Sequence, residues 1–162
     1  ISHALACDLY AMQAKAYARM GDQVSAHRAM ALAEQAVGRI RREDEPAETG
    51  YVQPGLLETN MADALMRLGD MTPATTYAAE AVAVQTHERG RVHRLATLSD
   101  CQLRAGQAEE AAATALTVLD TMQGTESRRL NDRLRKLRSS LAGMPTTATR
   151  AEPATSARTL CR

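Results

Sequence analysis

The apolar residues of this chain recur with the spacing of an α-helix, and one arrangement of helix, turn and helix occurs three times. Each copy has a glycine at its turn, at Gly21, Gly69 or Gly106, followed by Asp or Gln and then by a second, alanine-rich helix. A glycine at a helix end readily takes the left-handed conformation that other residues avoid. The pattern therefore predicts an all-α fold of stacked α-hairpins.

Start and stop signals divide the chain into seven predicted helices. Ser2 and Asp22 are placed to cap the first two, Pro54 to open the third in its first turn, and Thr72–Pro73 to cap and open the fourth. Gly90 is expected to separate the fourth helix from the fifth. The predicted spans end at residues 20, 40, 68, 89, 105, 122 and 141.

One side of the first predicted helix is apolar along its length. The residues at helical spacing on that side are Leu5, Leu9, Met12, Ala16 and Met20. Between the second and third helices, residues 41–50 are densely charged and contain Pro46 and Gly50. This composition predicts a solvated connector.

The seventh predicted helix differs from the others in having a single leucine stripe among many cations. The stripe is Leu130, Leu134, Leu137 and Leu141, and the cations are Arg128, Arg129, Arg133, Arg135, Lys136 and Arg138. A final helix with one apolar stripe covers the open end of a repeat stack. We therefore expect three hairpins plus a capping helix over residues 1–142, and a flexible tail over residues 143–162.

The cations and the leucine stripe of this helix each allow a further interpretation. Six cations on one short helix make a local positive field that attracts nucleic acid, and the leucine stripe can form a homodimer seam. No aromatic residue lies nearby to stack on bases. A solvated face on a capping helix is the simpler interpretation.

Composition narrows the class of protein. The 162 residues suit one domain, and 44% hydrophobic content is enough for a core, although Phe and Trp are absent. Twenty Lys and Arg against 19 Asp and Glu give a net charge of +1, which argues against a chain that binds nucleic acid over its whole surface.

Cysteine usage and targeting signals point to the cytoplasm. Three cysteines, Cys7, Cys101 and Cys161, suggest no disulfide framework, and the two in predicted helices are expected to be small core residues. Neither an export signal nor an apolar run of about 20 residues occurs, so no membrane association is expected. The chain opens at Ile1 within a predicted helix, which indicates that further residues precede it.

These repeated residues resemble tetratricopeptide (TPR) repeats. The first copy supplies Tyr10, Ala14, Ala16, Tyr17, Gly21, Asp22, Ala26, Met30 and Ala33; the second supplies Met61, Ala62, Ala64, Leu65, Gly69, Asp70, Ala74 and Ala81; the third keeps Leu98, Gly106 and Ala111. The helix-ending proline of the family is missing, and the step from Gly21 to Gly69 exceeds the usual repeat of about 34 residues. The resemblance implies a TPR-like superhelix.

A narrower resemblance concerns the C-terminal part. Residues 92–122 and 127–141 are similar to the end of bacterial transcriptional regulators in which TPR-like repeats follow a helix-turn-helix domain. This resemblance implies a regulatory module, with DNA contacted only through a domain upstream of Ile1. The alternative is a free-standing TPR-like adaptor with no role in transcription.

The TPR resemblance also implies that the first helix of each hairpin lines a concave groove. Its expected groove residues are Lys15, Arg19, Asn60, Asp63, Arg67, Asp100 and Arg104, together with Asp8 and His93. Such a polar stripe suits a peptide, a protein segment or a small polar ligand. The alternative is that the i,i+4 pairs Asp63–Arg67 and Asp100–Arg104 only stabilise exposed helices, by about 0.2–0.5 kcal/mol each.

Catalytic and cofactor motifs are not apparent. The four histidines lack metal-ligand spacing, and neither a phosphate-binding glycine loop nor a nucleophile elbow occurs. We therefore expect no enzyme activity, no metal and no cofactor. The sequence predicts a noncatalytic sensing or interaction module with a protein or peptide partner.

Overall fold

The computed structural model describes residues 2–122 and 128–143, and in this part of the chain it is all-helical, as predicted. The helices are α1 (His3–Met20), α2 (Gln23–Val37), α3 (Leu56–Leu68), α4 (Met71–Ala83), α5 (Glu88–Arg104), α6 (Ala108–Thr121) and α7 (Arg128–Ala142). Two short 3-10 helices, Arg42–Asp44 and Ala47–Thr49, lie between α2 and α3. No strand occurs in the described ranges.

The three predicted glycine turns are confirmed, and they share one geometry. Gly21, Gly69 and Gly106 have φ angles of 74°, 89° and 80°. In each turn the residue after the glycine donates its backbone N–H to the carbonyl five positions earlier, at 2.9–3.0 Å. A Cβ atom at any of the three glycines would meet no atom within 4 Å, so the left-handed conformation, and not lack of space, favours glycine there.

The first two predicted caps are confirmed, whereas the predicted start of the fourth helix is wrong. The Ser2 side chain accepts from the Leu5 N–H at 3.1 Å, and Asp22 accepts from the Ser25 N–H at 3.0 Å. The fourth helix begins at Met71 with Asp70 as its N-cap, so Thr72 and Pro73 lie inside the first turn. Proline is tolerated there because first-turn N–H groups have no intrahelical partner.

Other predicted boundaries also need correction. Gly90 does not separate two helices: it lies in the first turn of α5, and its N–H donates to Nδ1 of His87, the actual N-cap. The second and fourth helices end earlier than predicted, at residues 37 and 83. Pro54 precedes α3, whose N-cap is Gly55.

The core is lined mainly by alanine, which lets the helix axes come close. Successive helices pack against each other in the pairs α1 with α2, α3 with α4 and α5 with α6, while α1 also packs on α3 and α4 on α5. The buried side of α1 consists of Ala4, Cys7, Ala11, Ala14 and Ala18. The larger apolar residues of α1, including Leu9 and Met12, are exposed on another side.

The connector between α2 and α3 is not the fully solvated segment that its composition predicts. Thr49 and Val52 are buried, and the Glu45 carboxylate accepts from the backbone N–H groups of His3 and Ala4 at 3.1 and 3.2 Å. An acidic group at a helix N-terminus also interacts favourably with the helix dipole. The connector thus fastens the start of α1.

A buried arginine joins the ends of three segments. Arg94 of α5 is 6% exposed and donates to the carbonyl oxygens of Ala81 and Val84 at 3.0 Å and of Pro54 at 2.6 Å. Burial lowers the pKa of its guanidinium. Gly55 lies directly beside it with φ 85°, and a Cβ atom at Gly55 would overlap the guanidinium. Arg94 therefore satisfies carbonyls at the end of α4 and before α3.

Two further expectations concern the whole chain. Within residues 2–122 and 128–143, no helix is long and apolar enough to cross a membrane. The predicted flexible tail lies outside the described residues from residue 144 onward, as does Cys161.

Candidate ligand-binding cleft

A cleft of about 1020 Å3 runs across the odd-numbered helices. Its lining residues are Lys15 of α1; Leu56, Thr59, Asn60, Asp63, Met66 and Arg67 of α3; His93, Thr97, Asp100 and Arg104 of α5; and Asp132 and Lys136 of α7. Residues spaced three and four apart share one side of a helix, which explains how α3 alone contributes six of them. The even-numbered helices contribute none of these residues.

The structure brings six of the seven predicted site residues to this cleft. They are Lys15, Asn60, Asp63, Arg67, Asp100 and Arg104. The seventh, Arg19, is exposed and does not line it. Asp8 is also outside the cleft, where it accepts a hydrogen bond from the Tyr51 hydroxyl at 2.8 Å.

Lys15 contacts two residues of α3 at the centre of the cleft. Its Nζ lies 3.2 Å from Oδ1 of Asn60 and 3.2 Å from Oδ2 of Asp63, so it joins α1 to α3. The other oxygen of Asp63 lies 3.7 Å from Nε of Arg67. One carboxylate therefore faces two cations. The side chains of Lys15 and Asp63 are 20% and 27% exposed, so solvent screens the pair only in part.

Two cations at the α5 and α7 side of the cleft have no such partner. Within the described residues, neither Arg104 nor Lys136 makes a hydrogen bond or an ion pair, and both are exposed. Asp132, the acidic cleft residue of α7, instead pairs with Arg135 at 3.0 Å. This side of the cleft therefore presents two cations that are unpaired within the described residues, beside the carboxylates of Asp100 and Asp132.

The floor of the cleft contains residues that the sequence analysis did not assign to it. Leu56, Thr59 and Met66 lie on the same side of α3 as Asn60 and Asp63, so the i+3 and i+4 spacing could have identified them. Met66 is 8% exposed, and its sulfur lies 4.0 Å from Sγ of Cys101. The floor thus adds apolar surface to a polar rim.

Asn60 carries an unsatisfied donor. The residue is 6% exposed, and Lys15 donates to its Oδ1, but Nδ2 is buried without a hydrogen-bond partner among the described residues. A buried donor without an acceptor costs about 1–3 kcal/mol. A ligand oxygen that reached Nδ2 after a rotation of neighbouring side chains would recover this energy.

A second, apolar groove of about 520 Å3 lies between α6 and α7. It is lined by Ala112, Ala115, Leu116, Leu119, Asn131, Leu134, Arg135 and Arg138. Leu134 is the one residue of the predicted leucine stripe whose side chain the structure describes, and it packs beside Val92 and Val118. The α7 helix thus separates this groove from the polar cleft.

The titratable groups outside the cleft are mainly structural. Burial, together with the nearby carboxylates of Asp8 and Glu58, raises the pKa of the Cys7 thiol to about 11. Cys7 and Cys101 are both buried, as predicted for core residues. Within the part of the chain that the structure describes, no group of three His, Cys, Asp or Glu side chains could hold a metal ion.

Comparison with known proteins identifies no relative: no protein-family model, no curated protein and no solved structure matches the chain.

Proposed function

We propose that α1–α6 form a TPR-like stack of three α-hairpins, that α7 caps it, and that the polar cleft binds a peptide segment without catalysis. The observation that carries the proposal is that every residue lining the cleft comes from an odd-numbered helix. A concave wall made by the first helix of each pair is the geometry expected of such a stack. The shared geometry of the three glycine turns supports the same arrangement.

The size of the cleft favours a peptide over a small molecule. Small-molecule sites have volumes of about 300–1,000 Å3 and bury most of their ligand. This cleft is at the upper limit, is open, and extends over four helices. An extended chain can contact all four helices at once, with its backbone carbonyls as acceptors for groups such as Asn60 Nδ2.

The charges of the cleft indicate which peptide it prefers. Arg104 and Lys136, which have no partner in the part of the chain that the structure describes, suit an acidic side chain, and the apolar floor at Leu56 and Met66 suits a leucine-like one. Asp63 is already engaged by Lys15 and Arg67, so it offers little to a basic ligand. We therefore propose a ligand that combines acidic and aliphatic residues.

Binding would also have a mechanical consequence. A ligand that contacts Arg104 and Lys136 joins α5 to α7, and one that reaches Lys15 includes α1. Because each helix pair of a stack contacts only its neighbours, such a ligand favours one relative tilt of the pairs over others. This is how the module would transmit binding to an attached domain.

Fluorescence polarisation tests the proposal. The probes are fluorescein-labelled peptides in which leucines are interspersed with Glu, and matched peptides in which Lys replaces each Glu. We expect the acidic set to bind the whole chain more tightly. The double variant Arg104→Glu with Lys136→Glu should weaken that binding at least about tenfold, which is about 1.4 kcal/mol.

The matched control is Arg89→Glu with Arg91→Glu, which makes the same charge change on two exposed residues of α5 outside the cleft. It should leave the affinity nearly unchanged. Equal binding of acidic and basic peptides, or equal loss in the control, would contradict the proposal.

We further propose that the module belongs to a bacterial transcriptional regulator, as the C-terminal resemblance implies. Residues encoded upstream of Ile1 decide between this role and that of a free-standing adaptor. A helix-turn-helix domain there, and promoter binding that changes with peptide, would support the regulator. An upstream region without a DNA-binding domain would support the adaptor.

A further inference from the structure

The exposed side of α1 occupies a position that is buried in the next two odd-numbered helices. When the helices are aligned on Gly21, Gly69 and Gly106, Leu9, Met12 and Ala16 of α1 correspond to Leu57, Asn60 and Ala64 of α3 and to Arg94, Thr97 and Cys101 of α5. The alignment is fixed by the shared turn hydrogen bonds, which end at Tyr17, Leu65 and Gln102.

The exposures at these positions differ sharply. Leu9 and Met12 are 48% and 43% exposed, whereas their counterparts Leu57 and Asn60 are 7% and 6% exposed. The counterparts in α5 are equally buried. In α3 this side meets α1, because Asn60 accepts from Lys15, and in α5 it meets α3, because Cys101 lies beside Met66. In α1 it is apolar and uncovered.

Met20, 76% exposed, and Leu5, 36% exposed, extend the same apolar stripe to both ends of α1. A side of a helical stack that stays in contact with water is normally polar. An uncovered stripe of this length marks an interaction surface. The geometry of the neighbouring units indicates that its occupant is a helix.

We propose that the stripe packs against the same stripe of a second copy of this chain, with the two α1 helices antiparallel. The charge pattern beside the stripe supports this partner and this orientation. Asp8 and Arg19 lie on one flank of it, near opposite ends of α1. In an antiparallel pair related by a two-fold axis, equal flanks face each other. Asp8 of one copy then faces Arg19 of the other, in both directions.

The same antiparallel arrangement also places the apolar residues of one copy against those of the other. With Met12 near the two-fold axis, Leu9 packs near Ala16 of the other copy, and Leu5 packs near its Met20. Arg19 is exposed and has no ion-pair partner within the described residues, so it is available for this contact. The antiparallel helix dipoles are also favourably arranged. This proposal is independent of ligand binding in the cleft.

Sedimentation equilibrium of the full chain over a series reaching millimolar protein tests the interface. A contact along one helix is at the small end of protein interfaces, so we expect dimers at high concentration. Leu9→Glu with Met12→Glu should abolish them without loss of helicity, because both side chains are exposed. Leu116→Glu, at an exposed leucine of α6, is the control and should still dimerise.

Charge exchange tests the antiparallel register. Asp8→Arg alone and Arg19→Asp alone should each weaken dimerisation, and the two together should restore it. The chain remaining monomeric at every concentration would overturn the proposal. So would dimers that persist in the Leu9 and Met12 variant, dimers that are lost only in the Leu116 variant, or a failure of the exchanged pair to restore association.

Discussion

Two arginines of α5 lie in very different surroundings. Arg94 lies on the buried side and donates to three carbonyl oxygens, from Ala81, Val84 and Pro54. Arg104 lies on the cleft side, exposed and without a partner among the described residues. The residue type is the same, so its surroundings decide the role. The buried cation holds three backbone carbonyls, whereas the exposed one makes no bond within the described residues.

The largest effect that we expect from this comparison is on stability. Arg94→Met removes the donors of three carbonyls and should lower the free energy of unfolding by about 3–4 kcal/mol. Arg104→Met, the matched control on the same helix, should change it by less than about 0.5 kcal/mol. Urea unfolding followed by circular dichroism measures both. Similar losses in the two variants would refute the distinction.

A smaller effect distinguishes two costs to stability: the left-handed backbone conformation of an alanine, and its overlap with the Arg94 side chain. Gly21→Ala forces a Cβ into a left-handed conformation but meets no other atom, so it should cost about 1 kcal/mol. Gly55→Ala adds an overlap with the guanidinium and should cost about 2 kcal/mol or more.

The same urea experiment in an Arg94→Met background tests whether the Arg94 side chain causes the additional cost at Gly55. There the two glycine variants should cost nearly the same, because the obstructing group is gone. A difference that persisted at full size would mean that Arg94 is not what restricts Gly55.

These residues also show which features the sequence could predict. The glycine turns and the caps Ser2 and Asp22 depend on neighbours within about five residues, so local patterns identify them. Most residues of the cleft could be predicted in the same way, because the odd-numbered helices place residues at helical spacing on one side.

Features that depend on distant partners were not predictable. Arg94 bonds to a carbonyl 40 residues away, and nothing in its local sequence marks it as buried. The connector carries the charges of a solvated loop, yet Glu45 caps α1. Gly90 was misassigned because a glycine is typical of helix ends, whereas here His87 supplies the cap one turn earlier. Arg19 has the helical spacing of a cleft residue but lies outside the cleft.

The central claim is that the cleft across α1, α3, α5 and α7 is the binding surface. Amide chemical-shift mapping by NMR during titration with a Leu- and Glu-containing peptide tests it most directly. We predict that the largest shifts fall at cleft residues, including Asn60, Asp63 and Arg104. Shifts concentrated instead along α6, or on the outer stripe of α1, would contradict the claim.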